Sequence, residues 1–178
     1  MSGDVMLDIA TNFLNNKDSY TTRTNEILLT LHRKENVDNI ENLKTILRVI
    51  SNIDSIFTLP IHPRLSMIIE KANITLPTNI KKTRPLSYTE IMEKLRSVAA
   101  VVTDSGGLQK EALFFGVPCY TLRQETEWLE TLSNNSNQLI SNFFDLPEKL
   151  VQKPTKFDSS PFGDGNASQR IVSYIEKL

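Results

Sequence analysis

One cysteine, one tryptophan and two histidines stand in a chain of 178 residues, so several fold and function classes fall away at once. A lone Cys119 cannot close an intrachain disulfide, and its place in an apolar run marks it as a buried structural thiol. His32, His62 and Cys119 lie too far apart to match any zinc spacing, so no metal site is expected. No apolar run approaches the roughly 20 residues that span a bilayer. The first fifteen residues lack a basic segment followed by a long apolar one, so no signal peptide is expected. Excess charge is missing too. The formal net charge is −1, which gives no reason to expect a nucleic-acid or membrane partner. A cytoplasmic protein is the simplest expectation. Repeats and low-complexity segments are also lacking.

What is present is an ordinary globular composition, 39% apolar and 23% charged, organised as an alternation. EILLTLH (26–32), SIFTLPIHPR (55–64), a weaker NIKKTRPL (79–86), VAAVVT (98–103) and VPCYTLR (117–123) read as strands, with NQLI (137–140) as an outer one. Between them run amphipathic stretches at 39–53, 65–74, 87–98 and 106–116. Ser87 with Glu90 forms a capping-box signature, and Gly116 is placed to end the fourth helix. TEWLETL (126–132) is ambiguous and PEKLVQ (147–152) reads as a brief helix. Residues 162–178 are expected to carry a closing helix capped by Asn166 or Ser168. About five strand–helix alternations predict one α/β domain over residues 1–178: a Rossmann-like three-layer unit with a mainly parallel sheet. Such sheets bind ligands at the carboxyl ends of their strands.

Three stretches follow predicted strands. LHRKEN offers His32, an acid or base near neutrality, with Arg33 and Lys34 for phosphate and Glu35 and Asn36 to orient them. IHPR holds His62 and Arg64, and a loop histidine without a role is the plainer reading there. TDSGGLQKEA is strand, turn and helix. Gly106 and Gly107 let a ligand approach the backbone, and the helix start presents unpaired N–H groups to an anion. Ser105 could donate one further hydrogen bond, and Glu111, one turn inside, could reach two sugar hydroxyls. The plainer reading is a β–α turn with Asp104 as the helix cap. The glycines match neither the GxxxxGK[ST] loop nor GxGxxG, and DSGG is not the GxSxG of hydrolases. A fourth polar loop, RQETEW, could bring Arg123, Glu127 and Trp128 over a ligand.

Taken together, LHRKEN, HPR, RPLSY, TDSGGLQKEA, GVP, R-x-x-TEW and PFGDGNAS-x-RI resemble, in order and spacing, the C-terminal half of the non-hydrolysing UDP-N-acetylglucosamine 2-epimerases. Trp128, where many bacterial members have an arginine that helps bind phosphates, resembles an archaeal-type branch. The resemblance implies the second domain of a GT-B fold, with the first domain absent. It implies UDP or UDP-N-acetylglucosamine as ligand, no cofactor, and a homodimer for the full-length enzyme. It places Ser105, Gly106, Gly107, His32 and Arg123 at the diphosphate and Glu111 at the ribose. Uracil would lie against the 86–91 segment, including Leu86 and Ile91. Arg33, Glu35, Asn36, Asp104 and Glu127 would line or support the cleft. The implied reaction eliminates UDP and re-adds it to the opposite face, with His32 helping UDP depart. The groups that move the C2 proton would lie chiefly in the absent domain, so the chain alone would be inactive. Two alternatives stay open: half of a GT-B glycosyltransferase, or a non-catalytic module that binds UDP-sugars.

Overall fold

A computed structural model of the chain describes residues 2–15 and 22–177. Six strands, β1 (Glu26–Thr30), β2 (Ile56–Pro60), β3 (Ile80–Thr83), β4 (Ala100–Thr103), β5 (Cys119–Thr121) and β6 (Asn137–Leu139), form one sheet. Every recorded pairing is parallel, and the order is β3-β2-β1-β4-β5-β6. The helices are α1 (Val5–Asn15), α2 (Lys34–Val37), α3 (Ile40–Ser51), α4 (Pro63–Lys71), α5 (Tyr88–Ser97), α6 (Gly106–Phe114), α7 (Leu146–Val151) and α8 (Ala167–Ile175). The fold is α/β and Rossmann-like, with helices on both faces of the sheet.

The period of two along a strand divides the core into two layers. Ile27, Leu29, Phe57, Leu59, Val102 and Tyr120 face one side and meet Leu43, Ile46, Leu47, Ile50 and Leu65 of α3 and α4. Leu28, Val101 and Cys119 face the other and meet Leu7 and Ala10 of α1, Met92 and Leu95 of α5, and Leu108, Ala112 and Leu113 of α6. All four residues of β4 are buried, as an unbroken apolar run implies for a central parallel strand. Residues Leu108–Phe114 of α6 are buried on every side, polar ones included.

Strand order reverses between β1 and β4. From β1 the chain winds outward to β3, then returns to lay β4 on the other side of β1. The connections leaving those two strands diverge to opposite faces of the sheet and leave a crevice above their carboxyl ends. Thr30 pairs with Thr103 in register there, and their hydroxyls stand 2.5 Å apart.

Several local expectations change. The first fifteen residues contain α1, which residue patterning did not reveal. Strand β1 ends at Thr30, and LHRKEN includes the short α2. Helix α4 starts at Pro63, two residues early, because His62 Nδ1 accepts the Arg64 N–H at 3.2 Å and proline suits the first helical position. The ambiguous TEWLETL becomes a kinked 3₁₀ segment over Leu129–Asn135. Helix α6 does end with Gly116 at φ +62°, and the Ser87–Glu90 capping box forms.

The cap of α8 is supplied from far away in sequence. Neither Asn166 nor Ser168 caps it as expected: Asn166 makes no side-chain cap bond, and Ser168 donates instead. Asp8 of α1 accepts from the N–H groups of Ala167 and Ser168 at 2.9 and 2.6 Å, and from the Ser168 hydroxyl at 2.6 Å. Burial pushes the Asp8 carboxyl up, but these bonds outweigh it and hold the group below its ordinary value. The closing helix ends at Ile175, and Leu178, the last residue of the expected closing segment, lies outside the described residues.

Candidate functional site

Asp104 organises the crevice. It follows β4 and its side chain is fully buried. Its carboxylate accepts the His32 N–H at 3.0 and 3.1 Å, the Arg33 N–H at 2.9 Å and the Asn36 amide at 3.2 Å. Asn36 Nδ2 also donates to the Leu122 carbonyl at 3.0 Å. One carboxylate and one amide therefore tie together the loops leaving β1, β4 and β5. The expectation that Asp104 caps α6 is corrected. Ser105 is the N-cap, accepting the Leu108 N–H at 3.4 Å, and Asp104 faces the neighbouring loop instead.

His32 Nδ1 lies 2.9 Å from Asp104 Oδ1, and the His32 side chain is 45% exposed. Its Nδ1–H is thus spent on the buried carboxylate, which leaves Nε2 as the ring nitrogen open to a ligand. The hydrogen bond to Asp104 raises the His32 pKa, against burial and the Arg33 charge. Burial alone would raise Asp104, yet its hydrogen bonds to His32 and Arg33 keep it below the usual carboxylate value.

Helix α6 opens beside this pair with Gly106 and Gly107. Neither has positive φ, and a methyl carbon at either would meet nothing nearer than 3.5 Å, so neither backbone strain nor crowding within the chain calls for glycine here. A methyl carbon on Gly106 would stand 3.5 Å from Trp128 Nε1, 3.6 Å from Glu127 Oε2 and 4.0 Å from Arg123 Nη1. Arg123 and Glu127 form a two-pronged pair at 2.8 and 2.9 Å, and Arg33 Nη2 reaches Glu127 at 3.4 Å. Arg123 holds the exposed Glu127 carboxyl at about 2. Arg33, Glu35, Asn36 and Arg123 also line a cleft of about 300 Å³ on the adjoining side.

One turn inside α6, Glu111 is buried. Burial raises its pKa against the Lys110 charge and a hydrogen bond from Tyr88. Tyr88, at the start of α5, is half-exposed, and its contact brings the 86–91 segment alongside α6. Leu86 is half-buried there, and Ile91 packs against the α1–α5–α6 core layer. His62 and Arg64 stay outside the constellation: the first caps α4 and the second pairs with Asp38.

Residue patterning missed three supports. Gln109 is buried, donates to the Ser105 carbonyl at 3.1 Å, and accepts from Thr126 and Asn137 at 2.6 and 3.0 Å. It pins the RQETEW loop over the start of α6. Lys110 pairs with Asp4 at 2.6 Å and lies 3.8 Å from the centre of the Trp128 ring. Tyr88 was noticed only as part of its segment. A lone glutamine, lysine or tyrosine on a helix carries no spacing signal, and only packing reveals these roles.

The model of a family described as UDP-N-acetylglucosamine 2-epimerase matches residues 1–176. The chain belongs to this family. It is 39% identical over 160 residues to the UDP-N-acetylglucosamine 2-epimerase of Methanococcus maripaludis, covering 83% of this chain and 43% of that protein. It is also 36% identical to a Pseudomonas aeruginosa UDP-2,3-diacetamido-2,3-dideoxy-D-glucuronate 2-epimerase, covering 99% of this chain and 52% of that one. Among solved structures, the Methanocaldococcus jannaschii UDP-GlcNAc 2-epimerase in complex with UDP-GlcNAc and UDP superposes with a TM-score of 0.85. That match has 30% identity and covers 100% of this chain and 54% of the other. The chain therefore spans about half the length of the relatives it matches and corresponds to the C-terminal half of their GT-B fold. No helix among the described residues is long and apolar enough to cross a membrane.

Proposed function

We propose that this chain is the UDP-holding half of a nucleotide-sugar 2-epimerase that interconverts UDP-N-acetylglucosamine and UDP-N-acetylmannosamine. The observation that carries the reading is the convergence at the β1–β4 crevice of His32, the glycine-opened start of α6 and Arg123, with Glu111 one turn inside the same helix. The two relatives named above act on different sugars, as their names state, but both substrates are UDP-linked. The shared moiety is the part this half would grip.

In this reading the diphosphate sits over Gly106 and Gly107, taking N–H groups of α6 and the hydroxyl hydrogen of Ser105. The end of the helix adds roughly 0.3–1 kcal/mol per charge. His32, held by Asp104, keeps its proton to higher pH than a free imidazole. Its open Nε2 side then offers positive charge to the departing diphosphate, where negative charge develops in the transition state. Glu111 takes the two ribose hydroxyls, and uracil lies along the 86–91 segment near Tyr88, Leu86 and Ile91. UDP leaves by elimination and returns to the opposite face of the sugar.

Asp104 is committed to His32, Arg33 and Asn36, and Glu127 is paired with Arg123, so neither stands free as a base for the C2 proton before ligand arrives. Moving the C2 proton is thus assigned to an N-terminal domain outside this chain. Each missing acid–base group costs roughly 10²–10⁴-fold in rate, so the chain by itself binds UDP but does not epimerise. Glu111→Ala tests the assignment by calorimetry. UDP should weaken while pyrophosphate holds its affinity, and an equal loss of both would remove the ribose role.

A further inference from the structure

Gly106 marks a point where two donors converge, and one of them has nothing to donate to. Arg123 is engaged with Glu127. Thr126 is engaged with Gln109, and the Trp128 backbone N–H and carbonyl are taken by Thr126 and Thr131. The indole N–H of Trp128 makes no hydrogen bond among the described residues, yet it stands 3.5 Å from the place a Gly106 methyl would fill. We propose that Trp128 is a ligand-contact residue, its indole N–H acting with the Arg123 guanidinium as the donor pair for one phosphate oxygen of the nucleotide. The proposal rests on the UDP reading above and adds a contact to it.

The ring is fixed before any ligand arrives. Lys110 Nζ lies 3.8 Å from its centre, and Asp4 anchors that ammonium at 2.6 Å. Phe162 stacks at a tilt, with centres 6.4 Å apart. A cation against the ring face draws on its π electrons, which makes the N–H a better donor. A preset donor also needs no reorganisation when charge appears. Arg123 behaves differently. Glu127 Oε2 is 3.6 Å from the same point, so an incoming phosphate oxygen must displace that carboxylate from the guanidinium. Trp128 is the standing half of the pair and Arg123 the exchangeable half.

Because Trp128 is the only tryptophan, protein fluorescence excited at the indole band reports on it alone. Pyrophosphate and UDP should each shift its emission saturably, while uridine should not. Trp128→Phe keeps a ring over Lys110 but deletes the N–H. It should weaken UDP about tenfold or more, the scale of a hydrogen bond to a charged group, with an unchanged urea midpoint. Calorimetric UDP binding that is equally tight in Trp128→Phe overturns the proposal, and so does UDP binding that leaves wild-type emission silent. The emission arm needs no variant, so it decides even if Trp128→Phe fails to fold. Absence of any UDP binding to the wild type would instead remove the UDP reading, and this contact with it.

Discussion

Replacing Asp104 by Asn keeps the shape of a buried side chain but removes its charge and half its accepting capacity. The carboxylate serves four donors: the N–H groups of His32 and Arg33, the Asn36 amide and His32 Nδ1. An amide oxygen can serve two, and the new NH₂ must point at donors. At least two groups are therefore left without an acceptor, each costing about 1–3 kcal/mol. His32 is 45% exposed and water can serve it in part, so a total of about 2–4 kcal/mol is expected, toward the lower end of that range. The pH dependence is specific. The folded His32 pKa is raised, so its contribution is fully present below about 6.5 and is lost as pH rises through the folded value. The folded Asp104 pKa is lowered, so its contribution is present above about 3.9 and is lost as pH falls through the folded value. Urea unfolding of wild type and Asp104→Asn should thus differ most between about pH 4 and 6.5, and above the folded His32 value the gap should narrow to the pH-independent part left by the unpaired backbone and Asn36 donors. A nuclear magnetic resonance titration, with signals assigned through His32→Gln, should show the His32 pKa falling in Asp104→Asn. An unchanged His32 pKa, or a stability gap independent of pH, would refute the account of Asp104 as the group that sets this histidine.

Two further substitutions probe other parts of the argument. Asp8→Ala should cost about 1–2 kcal/mol by removing the cap of α8, read from the urea midpoint. Because the folded Asp8 pKa is lowered, that cost should fade as pH drops through it. Gly106→Ala should split stability from binding. Its methyl meets nothing nearer than 3.5 Å, so the fold should hold or gain roughly 0.5–1 kcal/mol, while UDP weakens because the methyl takes the ligand's place.

The sheet was legible because β1, β2, β4 and β5 are short apolar runs bounded by turn residues and separated by helical spacing. LHRKEN and TDSGG follow strands that are neighbours at the switch point. Helix α1 was not legible, since its buried residues, Leu7, Asp8 and Ala10, include a charged one whose partner lies 160 positions away. The same long-range bond explains why the cap of α8 was misassigned. At the site, residue type identified His32, Ser105, Gly106, Gly107, Glu111 and Arg123 as chemistry-bearing, and the structure gathers His32, the α6 opening and Arg123 at one edge. Asp104 was misread because a carboxylate before a helix looks like a cap, and only the sheet order reveals the β1 loop beside it. Lys110 and Gln109 were invisible because their roles depend on partners from Asp4, Thr126 and Asn137, far from them along the chain.

The central claim is that the β1–β4 edge of this chain grips UDP. Calorimetric titration of UDP into the purified protein tests it most directly. A saturable heat that pyrophosphate competes away is expected. Folded protein giving no heat at millimolar UDP would contradict it.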